Sequence, residues 1–174
     1  MPNHRRRNPN RLDGYDYSLP RAYFVTIATY RRAALFGHNS AGEAILNDLG
    51  LIEQEEWRTT VELRREVRLD EFIIMPNHIH AILFIDEITL GERAAFIQTV
   101  GAHGRAPLQR RPRTLGSMIA AYKAATTRRI REHSKTPDLT VWQRNFYDRI
   151  IRDQLELDNV REYIHYNPLK LSEG

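Results

Sequence analysis

EFIIMPNHIHAILFI, residues 71–85, sets two apolar runs on either side of a Met-Pro-Asn break. β-branched and aromatic runs bounded by a proline are strand material. The pattern predicts a strand from about 66 to 74, another from about 77 to 85, and a tight antiparallel hairpin between them. Alternate side chains of a strand share a face, so His78 and His80 point one way and Ile79 the other. Two imidazoles so placed suit a metal site or proton handling, and a chance pairing is the third alternative.

Working outward, residues 22–30 (AYFVTIATY) read as a first strand. Residues 40–57 (SAGEAILNDLGLIEQEEW) read as a helix, with Ser40 as N-cap, Glu43 three residues on, and Ala44, Ile45, Leu49 and Ile52 on one face. Residues 100–113 are rich in Gly, Pro and Arg and predict a mobile basic loop. A second helix follows over 114–133, with Met118, Ile119, Tyr122 and Ala125 on its apolar face. A fourth strand is expected over 146–154 and a last helix over 157–167, stopped by Pro168.

The order is β-α-β-β-α-β-α. Its first six elements predict an α+β fold of the ferredoxin-like, split βαβ kind, an antiparallel sheet with helices on one face plus a C-terminal helix. The first and third strands are then central. RNA-recognition modules share the plan but carry exposed aromatics on those strands. Histidines in their place point towards chemistry.

A chain of 174 residues predicts a single domain, 1–174, with a basic arm over 1–20. The absence of cysteine excludes disulfides and thiolate zinc, so a metal would rest on His, carboxylate, amide or water. No apolar stretch matches a membrane span and the N-terminus lacks the core of a signal peptide, so no membrane partner and a cytoplasmic location are expected. The net charge is +4 and almost all the cations are Arg, which suits phosphate. They cluster over 5–11 and 105–135, while acids gather over 53–71 and 153–162. Such segregation fits a nucleic-acid backbone as well as a merely solubilising surface.

The last helix contains REYIHYNP, residues 161–168. Tyr163 and Asn167 are four apart and so neighbours on one face. Laid over the sheet, that face would add an amide oxygen to two imidazoles, a donor set suited to Mg²⁺ or Mn²⁺. A phenol ionises near pH 10, and a nearby cation makes it a better nucleophile towards a phosphodiester. Taken singly, Tyr147, Tyr166 and His165 read as packing residues, and Arg149 and Arg152 as partners of Asp148 and Asp153.

GYDYS with AYFVTIATY, MPNHIHAILF, and FYDRIIR with EYIHYNP run in an order that resembles the single-tyrosine (Y1) HUH transposases of the IS200/IS605 group. Within it the chain is similar to the REP-associated tyrosine transposases, or RAYTs. The resemblance implies His78, His80 and Asn167 as ligands of Mg²⁺ or Mn²⁺ and Tyr163 as the nucleophile. It implies cutting and joining of single-stranded DNA beside REP-like hairpins through a 5′-phosphotyrosine. Arg5, Arg6, Arg7, Arg110, Arg111, Arg113, Lys123, Arg128, Arg149 and Arg152 are the candidate DNA contacts. A monomer is expected, with a dimer as the alternative. Two other functions fit the same residues: a non-catalytic hairpin-binding protein, and a metal-dependent phosphodiesterase that uses water.

Overall fold

Arg21–Ala28 forms β1, and its alternation of buried residues already assigns two faces, with Tyr23, Val25 and Ile27 on one and Ala22, Phe24 and Thr26 on the other. The computed structural model describes residues 21–64, 66–86 and 114–170. The expected N-terminal arm and basic loop, with Arg5, Arg6, Arg7, Arg110, Arg111 and Arg113, lie outside the described residues. After β1 come β2 (Gly37–Ser40), β3 (Glu43–Leu46), α1 (Asp48–Glu62), β4 (Val67–Met75), β5 (His78–Ile85), α2 (Leu115–Ser134), β6 (Tyr147–Ile151), α3 (Gln154–His165) and α4 (Asn167–Lys170).

The main sheet has the order β4-β5-β1-β6, antiparallel throughout, so the first strand and the histidine strand are central as expected. Met75 pairs with His78 across a two-residue turn. Thr29 donates to the Asn77 carbonyl (3.0 Å) and Phe36 to that of Pro76 (2.9 Å), which fixes the turn at both of its carbonyls.

α1 and α2 cover one face. Tyr23, Val25, Ile27, Ile79, Ala81 and Leu83 pack there against Trp57, Met118, Ile119 and Tyr122. Each large aliphatic side chain among them contributes about 1.5–3 kcal/mol on burial. Arg129 of α2 joins the two helices through Glu55 (2.7 Å) and Glu56 (3.2 Å). α3 lies on the opposite face, where Leu157, Val160 and Ile164 meet Phe24, Ile82 and Ile151. The α+β, ferredoxin-like reading holds, and the C-terminal helix has a face of the sheet to itself.

Several boundaries differ from expectation. Residues 37–46 form a β-hairpin, and the helix starts at Asp48, not at 40. Ser40 belongs to β2. The turn residues Ala41 and Gly42 both have positive φ (50° and 80°), as two-residue hairpin turns require. Gly37 is needed too, since its φ is 145° and an added Cβ would come within 1.9 Å of the Ile45 carbonyl oxygen. The true N-cap is Asn47, whose side chain accepts from Gly50 N at 3.0 Å.

Near the C-terminus β6 stops at Ile151 because Asp153 caps α3, accepting from Glu156 N at 2.8 Å. α3 ends at His165, and Asn167 opens a separate short helix with Pro168 in its first turn.

Candidate active site

β5 turns His78 and His80 away from α1 and α2, towards α3. Both are nearly buried, and their Nε2 atoms stand 3.0 Å apart. Each ring is held at its other nitrogen. Asn77 Oδ1 lies 2.5 Å from His78 Nδ1, and Thr26 Oγ1 lies 2.9 Å from His80 Nδ1. An amide oxygen only accepts, so His78 carries its hydrogen on Nδ1 and offers a lone pair at Nε2. A threonine hydroxyl serves either tautomer of His80. With hydrogen on Nε2, His80 donates to His78; with hydrogen on Nδ1, both lone pairs face one point, as a shared cation requires.

Burial, and then the charge of Arg32, depress His78 to a pKa of about 4. Burial, His78 and Arg32 together bring His80 to about 3. Both rings are therefore neutral, metal-competent imidazoles at neutral pH. Arg31 and Arg32 adopt left-handed backbone (φ 53° and 57°), a strained arrangement of the kind that persists where surrounding structure holds it.

Asn167 opens α4 and is 6% exposed. Its side chain reaches His78 and favours the imidazolium, opposing the effect of burial. Its Oδ1 is buried with no hydrogen-bond partner among the described residues. A buried orphan oxygen beside two convergent imidazole nitrogens fits an oxygen-loving divalent ion. No cluster of three His, Cys, Asp or Glu occurs among the described residues, so an amide would complete the set.

Tyr163 lies on α3 with its hydroxyl 3.5 Å from His80 Nε2. Phe24 stacks on His80 (centroids 5.2 Å apart) and meets Tyr163 edge-on (6.0 Å), so one ring supports both. Tyr163 is 39% exposed and so open to a large substrate. The two histidines, Tyr163 and Asn167 are thus brought together from two distant segments. Tyr163 and Asn167 do not share one continuous helix face, because the chain breaks at Tyr166 (φ −90°, ψ 3°).

No family model matches the chain. An uncharacterized protein of Haemophilus influenzae is 37% identical over 166 residues, 95% of this chain and 89% of that one. The solved structure of a REP-associated tyrosine transposase bound to a REP hairpin superposes with a TM-score of 0.59 over 92% of this chain and 74% of that one, at 17% identity. At that identity the likeness is one of fold. The chain belongs to one family with the Haemophilus protein, and its fold is that of the REP-associated tyrosine transposase.

In this chain the remaining candidates are dispersed. Lys123 lies on α2, across the sheet from the histidines, and donates to the carbonyls of Gln143 and Asn145 (2.9 Å each). Burial lowers its pKa to about 8. The ammonium braces the approach to β6, so its geometry is that of a structural clamp. Arg128 is exposed on the same helix, at a cleft of about 800 Å³ between α2 and residues 137–142. Arg149 and Arg152 flank the tyrosine face instead, and Arg149 pairs with Glu156, not with Asp148.

His165 is exposed and packs edge-on against Tyr166 (5.0 Å), contrary to the expectation of a partly buried structural histidine. Sequence reasoning missed Thr26 and Asn77, which orient the two rings, and Asp70, which anchors α3. Asn77 adjoins the motif, but Thr26 and Asp70 are legible only through strand register and helix docking.

No helix among the described residues is long and apolar enough to cross a membrane.

Proposed function

We propose that this RAYT-like chain is a metal-dependent single-stranded DNA endonuclease and strand transferase that acts on hairpin DNA through a 5′-phosphotyrosine. One observation carries the proposal: two neutral imidazole nitrogens 3.0 Å apart, a buried orphan amide oxygen and a phenol 3.5 Å from the nearer imidazole meet on one sheet face. The motif order supports it, and the REP hairpin held by the protein of like fold supports hairpin DNA as the ligand.

His78, His80 and Asn167 would hold Mg²⁺ or Mn²⁺, which supplies polarisation of a phosphoryl oxygen and makes the phenol a better nucleophile. Asn77 and Thr26 keep the two rings oriented towards a common point. Arg32 adds positive potential where the phosphate's negative charge grows. Tyr163 Oη attacks phosphorus, an O–P bond to tyrosine forms, and the bond to the 3′-oxygen breaks. The phenol proton leaves to solvent at the exposed edge of the ring, and the departing 3′-oxygen takes one up. Attack by a 3′-hydroxyl on the phosphotyrosine reverses the step and joins strands without an external energy source.

The test uses a single-stranded hairpin with flanks taken from beside the gene, labelled downstream of the cut, with Mn²⁺ or Mg²⁺ and with EDTA. The expected result on a denaturing gel is a metal-dependent, labelled protein band that vanishes in Tyr163→Phe. Cleavage without the band would favour a water-using phosphodiesterase. Binding alone, indifferent to EDTA, would leave a hairpin-binding protein.

A further inference from the structure

A cleft of about 570 Å³ opens beside Tyr163, between β6 and α3, bordered by Phe24, Tyr147, Arg149, Arg152, Asn159 and Tyr163. That is the size of a small-ligand site. Register explains where it lies. Tyr147 on β6 stands opposite Thr26 on β1, and Thr26 stands opposite His80 on β5. The three form one row on one face of the sheet, and with strands about 4.8 Å apart Tyr147 sits about 10 Å from His80. Arg149 and Phe24 form the next row on the same face.

The lining combines aromatic, cationic and amide groups with the carboxylates of Asp153 and Glu156, the latter already paired with Arg149. Tyr147 is 40% exposed on the edge strand, although its sequence context suggested only a packing residue. Arg152 is exposed in the turn between β6 and α3, and its guanidinium makes no ion pair among the described residues. Asn159 offers both an amide donor and an acceptor at the exposed wall. Aromatic faces with arginines beside them bind single-stranded nucleic acid by stacking and phosphate contact.

We propose that this cleft binds one unpaired nucleotide of the hairpin's single-stranded flank, its base stacked on Tyr147 and its phosphate on Arg152, next to the phosphate that Tyr163 attacks. The inference rests on Tyr163 being the nucleophile, and it adds a base-stacking function that the histidine strand itself does not supply. It gives the enzyme a means of holding the strand to be cut separately from the duplex stem.

The test is equilibrium binding in EDTA, in a Tyr163→Phe background, so that nothing is cleaved. Two probes are compared: a hairpin with a single-stranded flank and the same hairpin without one. 2-Aminopurine is placed at successive flank positions. Tyr147→Ala should weaken the flanked probe about five- to a hundredfold and leave the bare hairpin unchanged. Tyr147→Phe should retain wild-type affinity, and one flank position should show a fluorescence quench that Tyr147→Ala abolishes. Arg152→Ala, an exposed turn position that the fold tolerates, should weaken the flanked probe alone. Equal effects on both probes, no effect of either variant, or no preference for the flank would each overturn the proposal. Because no chemistry is read, a chain without nuclease activity can still pass this test, and an active nuclease can fail it.

Discussion

Arg161 of α3 grips Asp70 of β4 through two parallel hydrogen bonds along one edge of its guanidinium, Nε to Oδ2 at 2.7 Å and a terminal nitrogen to Oδ1 at 2.8 Å. Asp70 sits where the β4–β5 register shifts, in the irregularity between Leu69 and Phe72, and alternation from Leu69 places it on the α3-facing side of the sheet. Arg161 is two residues from Tyr163, beside the apolar contact of α3 with the sheet. The fork and that apolar contact together set where the tyrosine stands.

Asp70→Asn should slow adduct formation about tenfold or more while leaving hairpin affinity unchanged, since a loosened nucleophile loses rate before binding. Stability should fall by about 1 kcal/mol or less, as for a partly exposed, solvent-screened ion pair. Arg161 holds the Asp70 carboxyl below its usual 3.8. Its stabilisation is thus fully present above pH 3.8 and is lost as the pH drops through the folded value. Exchanging the charges, Asp70→Arg with Arg161→Asp, should recover part of the rate. Single-turnover kinetics with a binding titration separates the two quantities.

Thr26→Val should keep the fold, because the isostere fits a half-buried strand position. It removes the oxygen that fixes His80 Nδ1. Affinity for Mn²⁺, read by titration or by metal-induced thermal shift, should fall about ten- to a hundredfold, the usual effect of losing such a supporting bond. An unchanged affinity would mean that the His80 ring needs no help from β1.

Glu53 lies fully buried on α1 and accepts a hydrogen bond from Tyr122, while its other oxygen has no partner among the described residues. Burial pushes its pKa from 4.5 up to about 8, against the smaller effect of the Tyr122 bond. The folded protein keeps a proton that the unfolded chain releases, so this contribution is fully present below pH 4.5 and declines as the pH rises to about 8. The slope approaches about 1.4 kcal/mol per pH unit inside that window. Glu53→Gln should flatten the decline and raise stability at pH 8 and above. Urea melts of both proteins from pH 4 to 9 check it.

Much of this was legible in the residues themselves. Period-two alternation placed His78 and His80 on one face, Pro76 marked the hairpin, and element order gave the two central strands. The hairpin at 37–46 was not legible because Ser40-Ala41-Gly42-Glu43 imitates a helix capping box. A four-residue signature cannot report that Ala41 and Gly42 take positive φ, or that Asn47 caps the helix seven residues later. The reach of Asn167 to His78 was anticipated, but by way of an unbroken helix. The chain instead turns at Tyr166, which leaves Tyr163 open to solvent and buries Asn167. Thr26 and Asp70 acquire their roles from partners 54 and 91 residues away, which local pattern does not encode.

Peptide mapping of the covalent complex tests the central claim most directly. After reaction with the flanked hairpin and Mn²⁺, nuclease treatment of the DNA and trypsin, residues 162–170 form a single peptide that contains both Tyr163 and Tyr166. Fragmentation should locate a 5′-linked nucleotide on Tyr163, with Tyr166 unmodified. A nucleotide on Tyr166, or cleaved DNA bearing a free 5′-phosphate and no modified peptide, would contradict it.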